Sequence, residues 1–114
     1  MEVTRAARVP ACGDVFLVEL DPTRGSEIRK TRPCLVISPD ELNHHLRTVI
    51  VAPMTTAGLP YPFRPECRFG NRTGRVALDQ IRAVGRDRLR KRLGRLAPAT
   101  LAAVSRVLRE MFEP

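Results

Sequence analysis

The chain has 114 residues, a length that suggests a single domain with one core. Hydrophobic residues make up 43% of it, yet no apolar run approaches the roughly 20 residues that a membrane-spanning helix needs. The first residues carry Arg5 and Arg8 but no long apolar stretch, so we predict no signal peptide and expect a soluble, cytoplasmic protein.

Positive charge dominates the composition. Lys and Arg total 20 against 12 Asp and Glu, which gives a formal net charge of +8. Lys30 and Lys91 are the two lysines, so arginine carries most of this charge, and its planar guanidinium suits bidentate contact with phosphate. The balance favours a polyanionic partner, with nucleic acid as the leading class. A GC-rich genome that writes Arg for Lys would produce the same excess.

The cysteines and histidines do not predict a metal site. Cys12, Cys34 and Cys67 are odd in number and widely spaced, which fits neither a disulfide framework nor a zinc pattern. Cys34 lies in an apolar run and is predicted to be a small core residue. His44 and His45 are adjacent, so their side chains point apart on an extended segment, and we predict that they lie in a solvated loop.

Short apolar segments predict strands along the first three quarters of the chain. They are DVFLVEL (14–20), CLVISP (34–39), TVIVAPM (48–54), a weaker YPFRPECRF (61–69), and RVALDQIRAV (75–84), which holds one or two strands. Pro53 predicts a sheet edge or a bulge near the end of the third strand. GNRTG (70–74) predicts a turn.

The remaining segments have helical patterns. In the basic stretch 85–95, Leu89 and Leu93 lie four residues apart, which predicts a short helix with a solvated, charged face. Segment 98–112 predicts a longer helix with Pro98 at its first position. Its apolar residues form one stripe that we expect to face the core, with a partner interface as the alternative: Leu101, Val104, Leu108, Met111 and Phe112.

Several short strands followed by a terminal helix predict a mainly β (α+β) fold, a small antiparallel barrel with a C-terminal helix. We place this single domain at residues 13–114. Residues 1–12 are predicted to be an N-terminal extension that is disordered.

Three segments in order, 13–43, 48–56 and 76–84, resemble the MazF/PemK toxins of bacterial toxin–antitoxin modules. The resemblance implies an SH3-like barrel of the plasmid-maintenance-toxin (CcdB/MazF) type that works as a homodimer. It also implies a sequence-specific endoribonuclease, an mRNA interferase, that cuts single-stranded RNA without a metal or other cofactor. The RNA 2′-hydroxyl would be the nucleophile, and the products would be 2′,3′-cyclic phosphate and 5′-hydroxyl ends.

The same resemblance implies the partners. A cognate antitoxin with an acidic, disordered tail would block the site, and DNA would be contacted only indirectly, through the antitoxin complex. No membrane partner is implied.

Three residues match catalytic positions of the family. Arg32, before Pro33, matches the catalytic arginine and would clamp the scissile phosphate and stabilise its added negative charge. A guanidinium holds its proton tightly and is a poor base, so proton transfer by Arg32 ranks lower. Thr55 would donate a hydroxyl hydrogen bond to a phosphoryl oxygen. Glu27 would orient Arg32 or act as general base.

Further residues are expected to contact RNA by the same analogy: Ser26, Arg29, Thr56, Asp79 and Gln80. One branch of the family places an arginine two residues before this aspartate, where the present chain has Ala77. That departure favours a mechanism built on Arg32 and Thr55. Tyr61 and Phe63 are the aromatic rings that we expect to be exposed for base stacking.

Two other function classes fit the composition. One is a non-catalytic RNA- or DNA-binding barrel, and the other is a module that binds an acidic partner protein. A charge of +8 suits all three classes. Arg32 and Thr55 in their sequence contexts favour the enzyme.

Overall fold

The computed structural model describes residues 9–20, 30–56 and 59–114. Within these ranges the chain forms seven strands and two α-helices, with single 3₁₀ turns at Leu78–Gln80 and Arg86–Arg88. The strands are β1 (Asp14–Glu19), β2 (Thr31–Val36), β3 (Thr48–Thr55), β4 (Glu66–Phe69), β5 (Arg72–Val76), β6 (Arg82–Gly85) and β7 (Leu89–Arg95). The helices are α1 (Asp40–His45) and α2 (Pro98–Phe112). No helix of the described ranges is long and apolar enough to cross a membrane.

The strands form one curled antiparallel sheet, in the order β4-β5-β3-β2-β1-β7, and β6 also pairs with β3. Strands β1, β2 and β3 are buried on both faces near the middle of the sheet. Leu35 belongs to a core cluster with Val15 and Val104, whereas its neighbour Cys34 belongs to a second cluster with Val18 and Val49. Alternate residues therefore enter different clusters, which explains the continuous apolar runs. The predicted barrel-like, mainly β fold with a C-terminal helix is confirmed.

Pro53 lies in a central strand, so the predicted sheet edge is wrong. Strand β3 pairs with β6 through residues 48–51 and with β5 through Met54 and Thr55. Pro53 falls at this change of partner, and its carbonyl accepts a hydrogen bond from the Ala77 N–H at 2.8 Å. In an antiparallel strand the N–H and C=O of one residue point to the same side. The missing N–H therefore faces the junction of β6 and β5, where no ladder bond is lost.

The basic segment 85–95 is not a helix. After the 3₁₀ turn it forms β7, which pairs with β1 through two register irregularities. Leu89 packs against the second core cluster, but Leu93 is 38% exposed, so the two leucines do not share an apolar face. The helical spacing of the two leucines was misleading. The segment forms a strand because its backbone hydrogen-bonds to the edge of β1, and the local sequence does not reveal this pairing.

Helix α2 has the predicted bounds. Val104 is buried, and Leu101 and Leu108 pack against the first core cluster. Met111 and Phe112 are 37% and 67% exposed, so the prediction that they lie in the core is wrong. The last turn of the helix extends past the cluster that covers its beginning.

His44 and His45 lie in α1, not in a loop, and both are exposed. The helix is anchored by Asn43, which is fully buried and whose amide donates to the Ser38 carbonyl at 3.1 Å. The Ser38 hydroxyl in turn donates to the Asn43 side-chain oxygen. Helix propensity alone did not predict this hydrogen-bond network between Ser38 and Asn43.

The segments around β4 are shorter than predicted. The strand expected at 61–69 begins only at Glu66, and the turn expected at 70–74 shrinks to Gly70 and Asn71. Gly70 has a φ of 62°, which a tight hairpin turn accommodates. Cys34 is buried, as predicted.

The predicted N-terminal extension is described only from residue 9 onward, and residues 1–8 lie outside the described ranges. The Ala11 N–H donates to Asp14 at 2.9 Å, and the Cys12 N–H donates to Asp40 at 2.8 Å. These two residues are therefore tied to β1 and α1.

Candidate active site

A cavity of ≈ 170 Å³ lies beside the start of β2, the end of β3 and the β4–β5 hairpin. It is lined by Arg32, Pro33, Met54, Thr55, Thr56, Cys67, Phe69, Arg72 and Gly74. None of these lining residues is acidic. Two guanidinium groups and two hydroxyls thus meet at one concave surface, a combination that suits a phosphate group.

Arg32 is placed by the first ladder of the sheet. It lies near the start of β2, opposite Val18 of β1, and is half-buried. Pro33 follows it and faces Leu17 in the same ladder. Because a proline disfavours the helical conformation at the residue before it, Arg32 is held in extended backbone at the cavity wall.

Thr55 ends β3 and faces Arg75 of β5, and Thr56 follows it at the surface. Gly74 makes this corner possible. A Cβ atom at Gly74 would lie 2.7 Å from the Thr55 carbonyl oxygen, which is closer than real Cβ contacts. A glycine is therefore required where β5 approaches the end of β3.

Three of the predicted site residues, Ser26, Glu27 and Arg29, lie in segment 21–29, outside the described residues. The flanks of this segment are described. The Leu20 N–H donates to the Lys30 carbonyl at 3.0 Å, so the two residues that flank the segment are direct neighbours. Since Arg32 is two residues beyond Lys30, both flanking residues lie near the β2 wall of the cavity.

Asp79 and Gln80 belong to the 3₁₀ turn after β5 and do not line the cavity. Arg64 holds the Asp79 carboxylate through two hydrogen bonds, of 2.8 Å and 2.9 Å. These bonds lower the pKa of Asp79 and raise the pKa of Arg64. Asp79 is therefore an ionised carboxylate engaged by Arg64, which makes it a poor proton donor at neutral pH.

Phe69, Arg72 and Arg64 were not predicted to belong to this region. Arg72 was hidden in the predicted turn GNRTG, although a two-residue turn at Gly70–Asn71 would have placed it opposite Phe69. The signal for Arg64 was weaker still, because its partner Asp79 is fifteen residues away. Tyr61 is 42% exposed, as expected, whereas Phe63 is half-buried and not exposed as predicted. The two rings stack at a centroid distance of 5.0 Å, and neither residue lines the cavity.

Part of the basic run 82–95 is neutralised by acids of β1. Asp14 is 5% exposed and pairs with Arg92 at 3.1 Å and Arg95 at 3.2 Å. Glu19 pairs with Arg90. These arginines therefore contribute to the β1–β7 contact as well as to the surface charge.

A curled, mainly β sheet with a cationic, hydroxyl-bearing cavity defines a barrel-type protein suited to a phosphate-containing ligand. The sequence model of the PemK-like, MazF-like toxins of type II toxin–antitoxin systems matches residues 11–112. The endoribonuclease toxin MazF of Escherichia coli (strain K12) is 34% identical over 97 residues, which cover 84% of this chain and 87% of that protein. The chain belongs to the PemK/MazF toxin family, and the predicted resemblance is confirmed.

Solved structures show the same fold. MazF from Deinococcus radiodurans superposes with a TM-score of 0.79 at 27% identity, covering 91% of this chain and 96% of that one. An endoribonuclease in complex with its cognate antitoxin from a mycobacterial species superposes with a TM-score of 0.75 at 26% identity, covering 89% and 92%. The family assignment thus agrees in sequence and in fold.

Proposed function

We propose that the chain is an endoribonuclease toxin that cuts single-stranded RNA at specific sequences without a metal ion. The RNA 2′-hydroxyl attacks the adjacent phosphate, the 5′-oxygen leaves, and the products carry 2′,3′-cyclic phosphate and 5′-hydroxyl ends. The observation that carries this proposal is the meeting of Arg32 and Thr55, from two different strands, at one cavity without a described acidic lining residue. Membership of the PemK/MazF family supports it.

Arg32 acts electrostatically in this mechanism. As the 2′-oxygen bonds to phosphorus, negative charge grows on the phosphoryl oxygens, and a fixed guanidinium stabilises it. The Thr55 hydroxyl donates a hydrogen bond to one of these oxygens. The extended backbone at Arg32 and the close approach of Gly74 to Thr55 support both groups from rigid strands.

Proton transfer requires a group other than Arg32, because a guanidinium remains protonated at neutral pH. In our proposal Glu27 takes the 2′-hydroxyl proton, and a water molecule gives the leaving 5′-oxygen the proton that makes it a hydroxyl. Glu27 lies in segment 21–29, whose flanking residues Leu20 and Lys30 adjoin the β2 wall of the cavity. The Leu20–Lys30 hydrogen bond supports this role because it places both residues that flank the segment beside the start of β2.

In this proposal the nucleotides on either side of the scissile phosphate contact polar residues around the cavity. Thr56 lies at the exposed rim of the cavity, and Ser26 and Arg29 belong to segment 21–29. Gln80 and Asp79 extend the surface beyond the hairpin. Asp79 accepts from RNA only with lone pairs that Arg64 does not use.

A homodimer that binds a cognate antitoxin completes the proposal. The net charge of +8 suits an acidic, disordered antitoxin tail, which would cover the same cavity as RNA. A fold relative is an endoribonuclease in complex with its cognate antitoxin, which supports such a partner. The toxin acts in the cytoplasm, and any DNA contact is made through the antitoxin complex.

End mapping tests this function. Purified protein is incubated with mixed-sequence single-stranded RNA in excess EDTA, and the ends of the fragments are identified chemically. Discrete cuts with cyclic phosphate at one side and a 5′-hydroxyl at the other are expected. Intact RNA over a broad range of sequences would overturn the enzyme hypothesis, and tight binding without cuts would identify a non-catalytic RNA-binding barrel instead.

A further inference from the structure

The β4–β5 hairpin brings an aromatic ring and a guanidinium to the cavity wall. Phe69 and Arg72 flank the two-residue turn and are direct cross-strand partners. Side chains of such partners leave the sheet on the same face, with their Cβ atoms about 5 Å apart. Both residues line the cavity together with Arg32 and Thr55.

The Phe69 ring is held in place from two sides. It packs against the first core cluster, and it closely approaches Gly94 of β7. A Cβ atom at Gly94 would lie 3.1 Å from the ring carbon Cζ, so the absence of a side chain there makes room for the ring. A fixed aromatic ring at a cavity wall provides a stacking surface for a nucleobase.

Arg72 is available to a ligand. It is exposed, and within the described part of the chain it forms no ion pair and no hydrogen bond through its side chain. The next residue on the same face of β5 is Gly74, which has no side chain to stand between Arg72 and the end of β3. A ligand held at Arg32 and Thr55 therefore has open access to Arg72.

The chemistry of this wall selects among bases. The two parallel donors of a guanidinium match the O6 and N7 acceptors of guanine. Adenine presents a donor amino group at the same edge, and neither pyrimidine has an N7 atom. A ring for stacking beside one guanidinium therefore suits guanine better than the other three bases.

We propose that Phe69 and Arg72 form a guanine-binding subsite that determines which RNA sequence is cut, beside the phosphate held by Arg32. The inference rests on the proposed function, since it names the base that the ribonuclease recognises next to its reacting phosphate. Phe69 supplies the stacking surface, and Arg72 supplies the sequence preference.

Binding is measured first, with probes that cannot be cut. Short thymidine oligomers with a single central dA, dC, dG or dT lack the 2′-hydroxyl nucleophile. The wild-type protein is expected to bind the dG oligomer about tenfold more tightly than the others, as one bidentate Arg–guanine contact provides. Arg72→Lys keeps the charge but loses the donor fork, so it should bind all four oligomers with similar affinity.

Two further variants complete the binding experiment. Phe69→Leu should weaken binding of every oligomer, because it removes stacking that all bases share. Arg90→Lys is the matched control, since Arg90 of β7 pairs with Glu19 of β1 and does not line the cavity, and it should retain the preference for dG. Equal binding of the four oligomers by the wild type, or a preference for dG that survives Arg72→Lys, would overturn the subsite.

Cleavage of mixed-sequence RNA separates this inference from the proposed function. We expect guanine at one fixed position relative to the wild-type cuts, and loss of that preference in Arg72→Lys. Cuts with no guanine preference would refute the subsite and leave the ribonuclease in place. A dG preference that depends on Arg72, in a protein that cuts no RNA, would refute the ribonuclease and leave the subsite in place.

Discussion

Arg64 and Asp79 form a bidentate ion pair that joins the two ends of the β4–β5 hairpin. The arginine Nε and Nη2 atoms lie 2.8 Å and 2.9 Å from the two carboxylate oxygens. Arg64 precedes β4 and Asp79 follows β5, so the pair closes the base of the hairpin that carries Phe69 and Arg72. Arg75 adds a third bond by donating to the Arg64 carbonyl at 2.9 Å. These three hydrogen bonds therefore hold the hairpin in position as one wall of the cavity.

The contribution of this pair depends on pH. Hydrogen bonds from Arg64 lower the pKa of Asp79 from its ordinary value of 3.8, so the unfolded state binds the proton more tightly. The pair therefore stabilises the fold fully above that value and progressively less as the pH falls below it. We expect Asp79→Asn to lower the free energy of unfolding by about 1 kcal/mol at neutral pH, with a smaller loss in acid.

Urea denaturation at several pH values measures this difference. Glu113→Gln, which removes a carboxylate from the exposed chain end after α2, is the control and should have no effect at any pH. A loss for Asp79→Asn that stays constant from neutral pH to below 3.8 would show that the ion pair is not its cause.

Gly74 is required for the corner at Thr55. In Gly74→Ala the new methyl group would meet the Thr55 carbonyl oxygen at 2.7 Å, and a backbone atom cannot move aside cheaply. We expect a loss of about 1–3 kcal/mol in the free energy of unfolding, together with slower RNA cleavage. Gly70→Asn is the matched control, because nothing lies within 4 Å of that position and Asn tolerates its φ of 62°. Equal stability of the two variants would contradict the close approach.

Asp14 and Glu19, the two acids of β1, differ in burial, so their substitution should lower the free energy of unfolding by different amounts. The Asp14 side chain is 5% exposed and receives hydrogen bonds from Arg92, Arg95 and the Ala11 N–H. We expect Asp14→Ala to lower the free energy of unfolding by about 1–3 kcal/mol, since it removes the acceptor of all three bonds and leaves the partly buried Ala11 N–H unsatisfied. Glu19→Ala removes an exposed pair with Arg90 and should cost about 0–1 kcal/mol. Thermal or urea unfolding decides between these values, and similar losses would refute the assignment of Asp14 as a buried anchor.

The sequence was most informative where local pattern and burial agree. β1 and β3 are rich in Val, Leu and Ile and were predicted to within one residue of their bounds, whereas β2 begins and ends three residues before the predicted segment 34–39. β7 was missed because its strand conformation depends on pairing with β1 and not on its own run of charged residues. β1 lies more than seventy residues earlier in the chain. Strand identity there is a tertiary property.

The residues of the candidate site also divide into those that were predicted from the sequence and those whose position depends on tertiary structure. Arg32 and Thr55 were identified from family motifs, and the sheet brings them to one cavity. Arg72 was not, because its position depends on a turn of two residues rather than five. The Arg64–Asp79 pair depends on how the hairpin closes, which no local pattern specifies.

The most direct test of the proposed mechanism is the cleavage rate of Arg32→Ala. Wild type, Arg32→Ala, Arg32→Lys and the control Arg90→Ala are compared on one end-labelled single-stranded RNA in excess EDTA, after circular dichroism has shown that each is folded. We expect Arg32→Ala to lose at least about a hundredfold in rate, as removal of one transition-state donor does, and Arg90→Ala to cut like the wild type. Arg32→Lys should also be slow, since an ammonium lacks the planar donor fork. A folded Arg32→Ala variant that cuts at the wild-type rate would contradict the mechanism.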